Sequence, residues 1–207
     1  MKIIHYTTGP ISVNTFVVYD EETKDCFILD PGGYKQEIVD KIRELELRPS
    51  YIILTHGHGD HIGGIARLKQ EFPDIKVVAN KNEVELLEDP RKNDSLEMFG
   101  RALSVTPDIL TDDMDTMKVG NMELLFIFTP GHTPGGQSIL VDGHLFAGDT
   151  LFRFSVGRTD FWGGSFPQLK KSIVEKLFTL PDDTVVLPGH MGFTTIGEEK
   201  KYNPFVI

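Results

Sequence analysis

Three of the chain's seven histidines fall within six residues, His56, His58 and His61, and Asp60 lies among them. The segment Thr55-His56-Gly57-His58-Gly59-Asp60-His61 follows the apolar run Tyr51–Leu54, which has the length and continuity of a buried strand. Gly57 and Gly59 let the backbone turn tightly after it. In an extended stretch alternate residues share a side, so His56 and His58 can face one cation. Asp60 and His61 follow the bend and can face a second beside it. Imidazole and carboxylate suit zinc, and also iron or manganese, better than calcium. His5 and His144 have no such glycine context and read as solvated or hydrogen-bonded histidines.

Four ligands so close in sequence do not close two coordination spheres, so others must come from afar. His132 lies in Thr129-Pro130-Gly131-His132-Thr133-Pro134-Gly135-Gly136, Asp149 in Ala147-Gly148-Asp149-Thr150, and His190 in Leu187-Pro188-Gly189-His190. Each is a ligand-type residue on a Gly or Pro turn directly after an apolar strand. A single rigid sheet can aim all three at one edge.

The rest of the chain supplies the scaffold. Ser12–Asp20 and Asp25–Asp30 alternate like two strands of a hairpin around a polar turn. Ile38, Val39, Ile42 and Leu45 predict an amphipathic helix over about 35–47, ended by Pro49. A helix carrying Ile62, Ile65, Leu68 and Phe72 is expected next, then a strand at Lys76–Ala79. Residues 80–115 read mostly as loop, with a short helix capped by Asn80 and a helical piece near Leu96–Leu103. Strands return at Leu124–Thr129, Gln137–Val141 and Leu145–Gly148. A last helix over Phe166–Phe178 has Ser165 as N-cap and Pro167 in its first turn, and Thr184–Leu187 is a final strand. Blocks of strands with helices between them suit a sheet sandwich covered by helices. One domain over residues 1–207 is expected.

The cluster Thr55–His61, followed in order by His132, Asp149 and His190, resembles the metallo-β-lactamase superfamily. The resemblance implies a four-layer αββα sandwich with the site at one edge of the sheets. It places one metal on His56, His58 and His132 and a second on Asp60, His61 and His190, with Asp149 bridging both. Within the superfamily, Gly148–Phe152, Val156–Asp160 and the ending Thr194–Glu199 with Asn203-Pro204-Phe205 are similar to the glyoxalase II-like branch, the hydroxyacylglutathione hydrolases. Full-length members of that branch carry a C-terminal helical domain. This chain stops at Ile207, where that domain would begin, so a short form is expected. It also has Met191-Gly192 where the family often has Gly-Pro.

These residues lead to a hydrolase in which a hydroxide bridging two divalent metals, zinc first among them, attacks a polarised carbonyl. Asp60 can also receive a proton. A thiolate leaves with little need for an acid because its conjugate-acid pKa is near 8.5, whereas an amide nitrogen must be protonated. The five histidines in site-like contexts are already committed to metal, which favours a small thioester of the hydroxyacylglutathione type. Arg158, nine residues past Asp149, is the candidate for a substrate carboxylate; its alternative is an ion pair with Asp160. Phe161 and Trp162 are candidate pocket walls or surface aromatics, and Asp30 a buttress of the metal loop. A one-iron persulfide dioxygenase using His56, His132 and Asp149 is the second reading, and a phosphodiesterase or nuclease the third. Lactam cleavage is disfavoured, since the resemblance implies that lactam-cleaving members lack the aspartate at Asp149.

The formal charge of −10 and the want of any basic stripe argue against a nucleic-acid partner. No stretch reads as a membrane span or a secretory signal. The single cysteine, Cys26, reads as packed and fits a reducing compartment, the cytoplasm. The expected partner is the small-molecule substrate; oligomeric state is left open.

Overall fold

Period-two alternation sorts the apolar residues of the first half onto the two faces of one sheet. In the computed structural model, which describes residues 1–206, six strands lie side by side in chain order: β1 (Lys2–Thr8), β2 (Val13–Tyr19), β3 (Asp25–Leu29), β4 (Arg48–Ile53), β5 (Lys76–Asn80) and β6 (Ile109–Thr111). The expected hairpin is β2–β3, antiparallel, with Tyr19 opposite Cys26. From β3 to β6 the strands run parallel. Val17, Cys26, Ile28, Ile52 and Val77 face outward onto Ile38, Val39 and Ile42 of α1 (Gln36–Glu44). On the same face lie α2 (Gly59–Ile62) and α3 (Ile65–Glu71), which contribute Ile62, Ile65 and Leu68. Phe16, Val18, Phe27, Leu29, Ile53 and Val78 point the other way.

They meet a second sheet. After α4 (Val84–Glu88) and α5 (Ser95–Phe99) come β7 (Thr116–Val119), β8 (Met122–Phe128), β9 (Gln137–Val141) and β10 (His144–Gly148). A two-stranded ribbon of β11 (Leu151–Phe152) and β12 (Ser155–Val156) follows, then β13 (Val185–Pro188) and β14 (Thr194–Thr195). The second sheet has the order β14-β13-β10-β9-β8-β7. Leu124, Phe126, Ile139, Val141, Phe146 and Leu187 close the core between the sheets. Leu145, Ala147 and Val186 face outward onto Leu169 and Ile173 of α6 (Phe166–Glu175) and Ile196 of α7 (Ile196–Tyr202). The result is helix, sheet, sheet, helix: the αββα sandwich.

Several expected elements take a different form. The helix after the histidine cluster is split into α2 and α3 at Gly63-Gly64, where Gly64 N–H donates to Pro31 O. Residues 80–115 hold α4, α5 and β6, each of five residues or fewer. The helical piece predicted at Leu96–Leu103 is α5, one residue earlier and four shorter at its end. Asn80 does cap its turn, accepting from Asn82 N–H at 2.9 Å. The last predicted helix stops at Glu175 and tightens into a 3₁₀ turn at Leu177–Thr179, and Ser165 precedes it without a side-chain cap bond. β1, β6, β7, β11, β12, β14 and α7 lie outside the expected elements. Among the described residues, no helix is long and apolar enough to cross a membrane.

Candidate metal centre

The carboxyl ends of five strands converge on one edge. β4 delivers Thr55–His61, β8 delivers Thr129–His132, β10 leads into Asp149, β13 leads into Gly189-His190, and β3 brings Asp30 beneath them. In the second sheet β8 and β10 are each antiparallel to β9, and β13 is parallel to β10. All three therefore exit on the same side.

Local backbone then divides the ligand-type residues. His56 and His58 precede the helix, His58 in extended conformation at φ −61° and ψ 149°. They meet His132: the ring centroids of His56 and His58 lie 4.7 and 4.6 Å from that of His132, and His58 Nδ1 is 2.9 Å from His132 Nε2. α2 begins at Gly59 and turns Asp60 and His61 towards His190, whose Nε2 is 3.2 Å from Asp60 Oδ2. Asp149 stands between the groups, Oδ1 3.4 Å from His61 Nε2 and Oδ2 3.6 Å from both His132 Nε2 and His190 Nε2. Donor atoms of His56, His58 and His132 lie within 4.8 Å of one another, as do those of Asp60, His61 and His190, and those of His56, His61 and Asp149.

The residues fit divalent cations. His56 Nε2, His58 Nε2, His61 Nε2 and Asp149 Oδ1 are buried without a hydrogen-bond partner, a costly condition unless something binds them. Burial holds His56 and His132 below the ordinary imidazole range and pushes His58 down to about 3, so these three are neutral ligands at pH 7. Burial also opposes charge on His61, but Asp60, Asp149 and Asp30 together override it and hold His61 well above the usual range. His190 is likewise raised, burial again opposing and the Asp60 hydrogen bond and Asp149 prevailing. Burial disfavours charge on Asp149, yet the surrounding histidines keep it ionised. This half of the cluster is built to hold positive charge, and a cation bound there would take the place of the protons.

Outer partners orient the rings. His132 Nδ1–H donates to Arg158 O at 2.6 Å, which leaves Nε2 facing Asp149. Asp30 accepts from Thr55 N–H and Thr55 Oγ1 at 2.8 and 2.6 Å, and His61 Nδ1 lies 3.0 Å from Asp30 Oδ2. Two such partners were missed in the sequence. Asn14 holds the His190 turn through Nδ2–H bonds to Pro188 O and Met191 O. Glu83 accepts from Gly57 N–H at 2.8 Å and Gly135 N–H at 2.6 Å. Both are lone polar residues whose partners are remote in sequence, so no local pattern marks them. His5 bonds Asn14 Oδ1 behind the His190 turn and His144 bonds Asp142 O; neither belongs to a donor group.

A cleft of about 210 Å³ opens over the cluster. Its walls are Ile11, Met98, Phe152 and Phe161, and its floor is His58, Asp60, His132, Asp149 and His190. Arg158 is at the mouth, paired bidentately with Asp160 at 2.9 and 2.7 Å and lying 4.3 Å from the Phe161 ring centre. Trp162 lies at the surface under Lys92 Nζ.

Comparison with known proteins agrees with this geometry. The metallo-beta-lactamase superfamily profile matches residues 8–190. The probable metallo-hydrolase YqgX of Bacillus subtilis is 39% identical over 209 residues, covering 100% of this chain and 98% of that protein. The hydroxyacylglutathione hydrolase GloC of Haemophilus influenzae is 35% identical, covering 93% and 92%. The crystal structure of the BLEG-1 B3 metallo-beta-lactamase superposes with a TM-score of 0.92 at 36% identity, covering 99% of each chain. With its αββα layers and its donor cluster at one sheet edge, this chain belongs to the metallo-beta-lactamase superfamily.

Proposed function

We propose that this metal-dependent hydrolase cleaves a small thioester of the hydroxyacylglutathione type, using a two-metal centre on His56, His58 and His132, on Asp60, His61 and His190, and on Asp149 between them. The observation that carries this reading is the pair of buried donor groups joined by Asp149 at the floor of one cleft. Two divalent cations, zinc or else iron or manganese, supply Lewis acidity there, lowering the pKa of water towards about 7 and polarising a carbonyl oxygen.

The chain's own residues do the rest. Apolar walls at Ile11, Met98, Phe152 and Phe161 exclude bulk water from the reacting carbonyl. Asp60 Oδ2, within 3.2 Å of His190 Nε2, can hold a proton released when water attacks. Apart from Arg158, every titratable side chain lining the cleft belongs to the donor cluster. A leaving group that departs as an anion, a thiolate, suits such a site better than an amine that needs a proton. Arg158 is positioned to exchange Asp160 for a substrate carboxylate, since both partners are about two-thirds exposed and an exposed pair is weakly held.

The likeness to GloC supports the thioester reading. The likeness to BLEG-1 brings in lactam hydrolysis as a second reading, although the aspartate at Asp149 argues against it. Zinc-loaded protein assayed against S-lactoylglutathione and nitrocefin in parallel separates them. Turnover of the thioester at least a hundredfold above the lactam is expected, with Arg158→Ala raising KM and leaving kcat nearly unchanged. Lactam turnover alone would replace the first reading by the second. Oxygen uptake with glutathione persulfide, without thioester hydrolysis, would replace both by a one-iron dioxygenase.

A further inference from the structure

Glu83 is fully buried at the end of the turn that follows β5, and it is not among the donor atoms of the cluster. Its two carboxylate oxygens are spent on different loops. Oε1 accepts from Gly57 N–H, the residue between His56 and His58, and Oε2 accepts from Gly135 N–H, three residues past His132. These are short bonds to an ionisable acceptor in a buried setting, where such bonds are strongest. The loop closes tightly on it: a Cβ at Gly135 would sit 2.5 Å from Glu83 Oε2 and 2.3 Å from Glu83 N. Among the described residues, Glu83 makes no hydrogen bond to α2, which carries Asp60 and His61, or to the loop carrying His190.

We infer that Glu83 is a positioning residue for one half of the centre: it latches the His56–His58 segment to the His132 loop, and so fixes the three-histidine site independently of the Asp60–His61–His190 site. Asp30, by contrast, lies under both halves, bonded to Thr55, whose Oγ1 is 3.1 Å from His56 Nδ1, and 3.0 Å from His61 Nδ1. The inference rests on the two-metal reading above, but the latch itself can be tested without metal.

Two measurements decide it. Metal-stripped wild type and Glu83→Gln are titrated with cobalt, followed by calorimetry and visible absorption. Gln keeps the shape but offers one acceptor oxygen for two amides. The expected result is one site weakened 10- to 100-fold with a changed cobalt spectrum, the usual range for loss of an outer partner, and the other site within twofold of wild type. Glu83→Asp keeps the carboxyl group but is too short to reach both loops, and should show the same selective loss. Both sites unchanged, or both weakened alike, would overturn the inference, and so would full retention by Glu83→Asp. The second measurement needs no variant. In metal-stripped wild type the Gly57 and Gly135 amides should exchange with solvent at least about a hundredfold slower than free amides, and fast exchange at either would overturn the latch. A wild type binding fewer than two cobalt ions would defeat the two-metal reading while leaving this second result to judge Glu83.

Discussion

Asp30 sits beneath the histidine cluster at φ 46°, its carboxylate shared between Thr55 and the neighbourhood of His61 Nδ1. Asn tolerates the same left-handed backbone, so Asp30→Asn changes charge and acceptors with little strain. It should weaken metal binding at the Asp60–His61–His190 group by about 10- to 100-fold, measured by competition with a chromophoric chelator; unchanged affinity would remove Asp30 from the support of His61. Cys26 shows the opposite use of burial. Its thiol faces the α1 side of the first sheet, and desolvation pushes it up to about 12 from 9.0. The thiol therefore ionises more readily when unfolded, and its contribution to stability is complete below pH 9 and lost as pH rises from 9 to 12. The stability advantage of wild type over Cys26→Ala should shrink by about 1.4 kcal/mol between pH 8 and pH 10, read from urea denaturation at each pH. A constant difference would show that the thiol is not buried as described.

Strand-end turns aim the site, and the turn after β8 is tightly constrained. Gly131 has φ +135°, and a Cβ there would meet Leu169 N of α6 at 2.2 Å. Ser165 N–H donates to Gly131 O, so the turn and the helix start are one unit. Gly131→Ala should destabilise the protein by roughly 2–4 kcal/mol through backbone strain and overpacking, with a lowered denaturant midpoint as the readout; a midpoint within error of wild type would contradict the packing of α6 on this turn. These turns were legible in the sequence because a Gly or Pro stood directly after an apolar run at Thr129–Gly131, Gly148 and Pro188-Gly189. β4 was legible for another reason: Ile52 and Ile53 enter different cores, so a strand buried on both faces reads as an unbroken apolar run. β6 is too short for periodicity to show, and α4 and α5, of five residues each, were legible only as short helical pieces without firm bounds. α7 carries a local signal of its own, Thr195 accepting from Glu198 N–H in a Thr-x-x-Glu sequence. Glu83 and Asn14 could not be read at all, because their roles lie in bonds to residues far along the chain.

Neither sheet owns the centre. His56, His58, Asp60 and His61 hang from the first, His132, Asp149 and His190 from the second, and the inter-sheet core of Phe16, Phe27, Phe126 and Phe146 sets the distance between them. Ligands drawn from both halves make metal binding a staple across the sandwich, and ligand that binds only the folded state stabilises it by mass action. The formal charge of −10 is also partly offset when cations enter. The direct test is elemental analysis of zinc-reconstituted protein after gel filtration. About two zinc ions per chain are expected, with about one retained by His190→Ala. A single ion in wild type, or none, would contradict a two-metal hydrolytic centre.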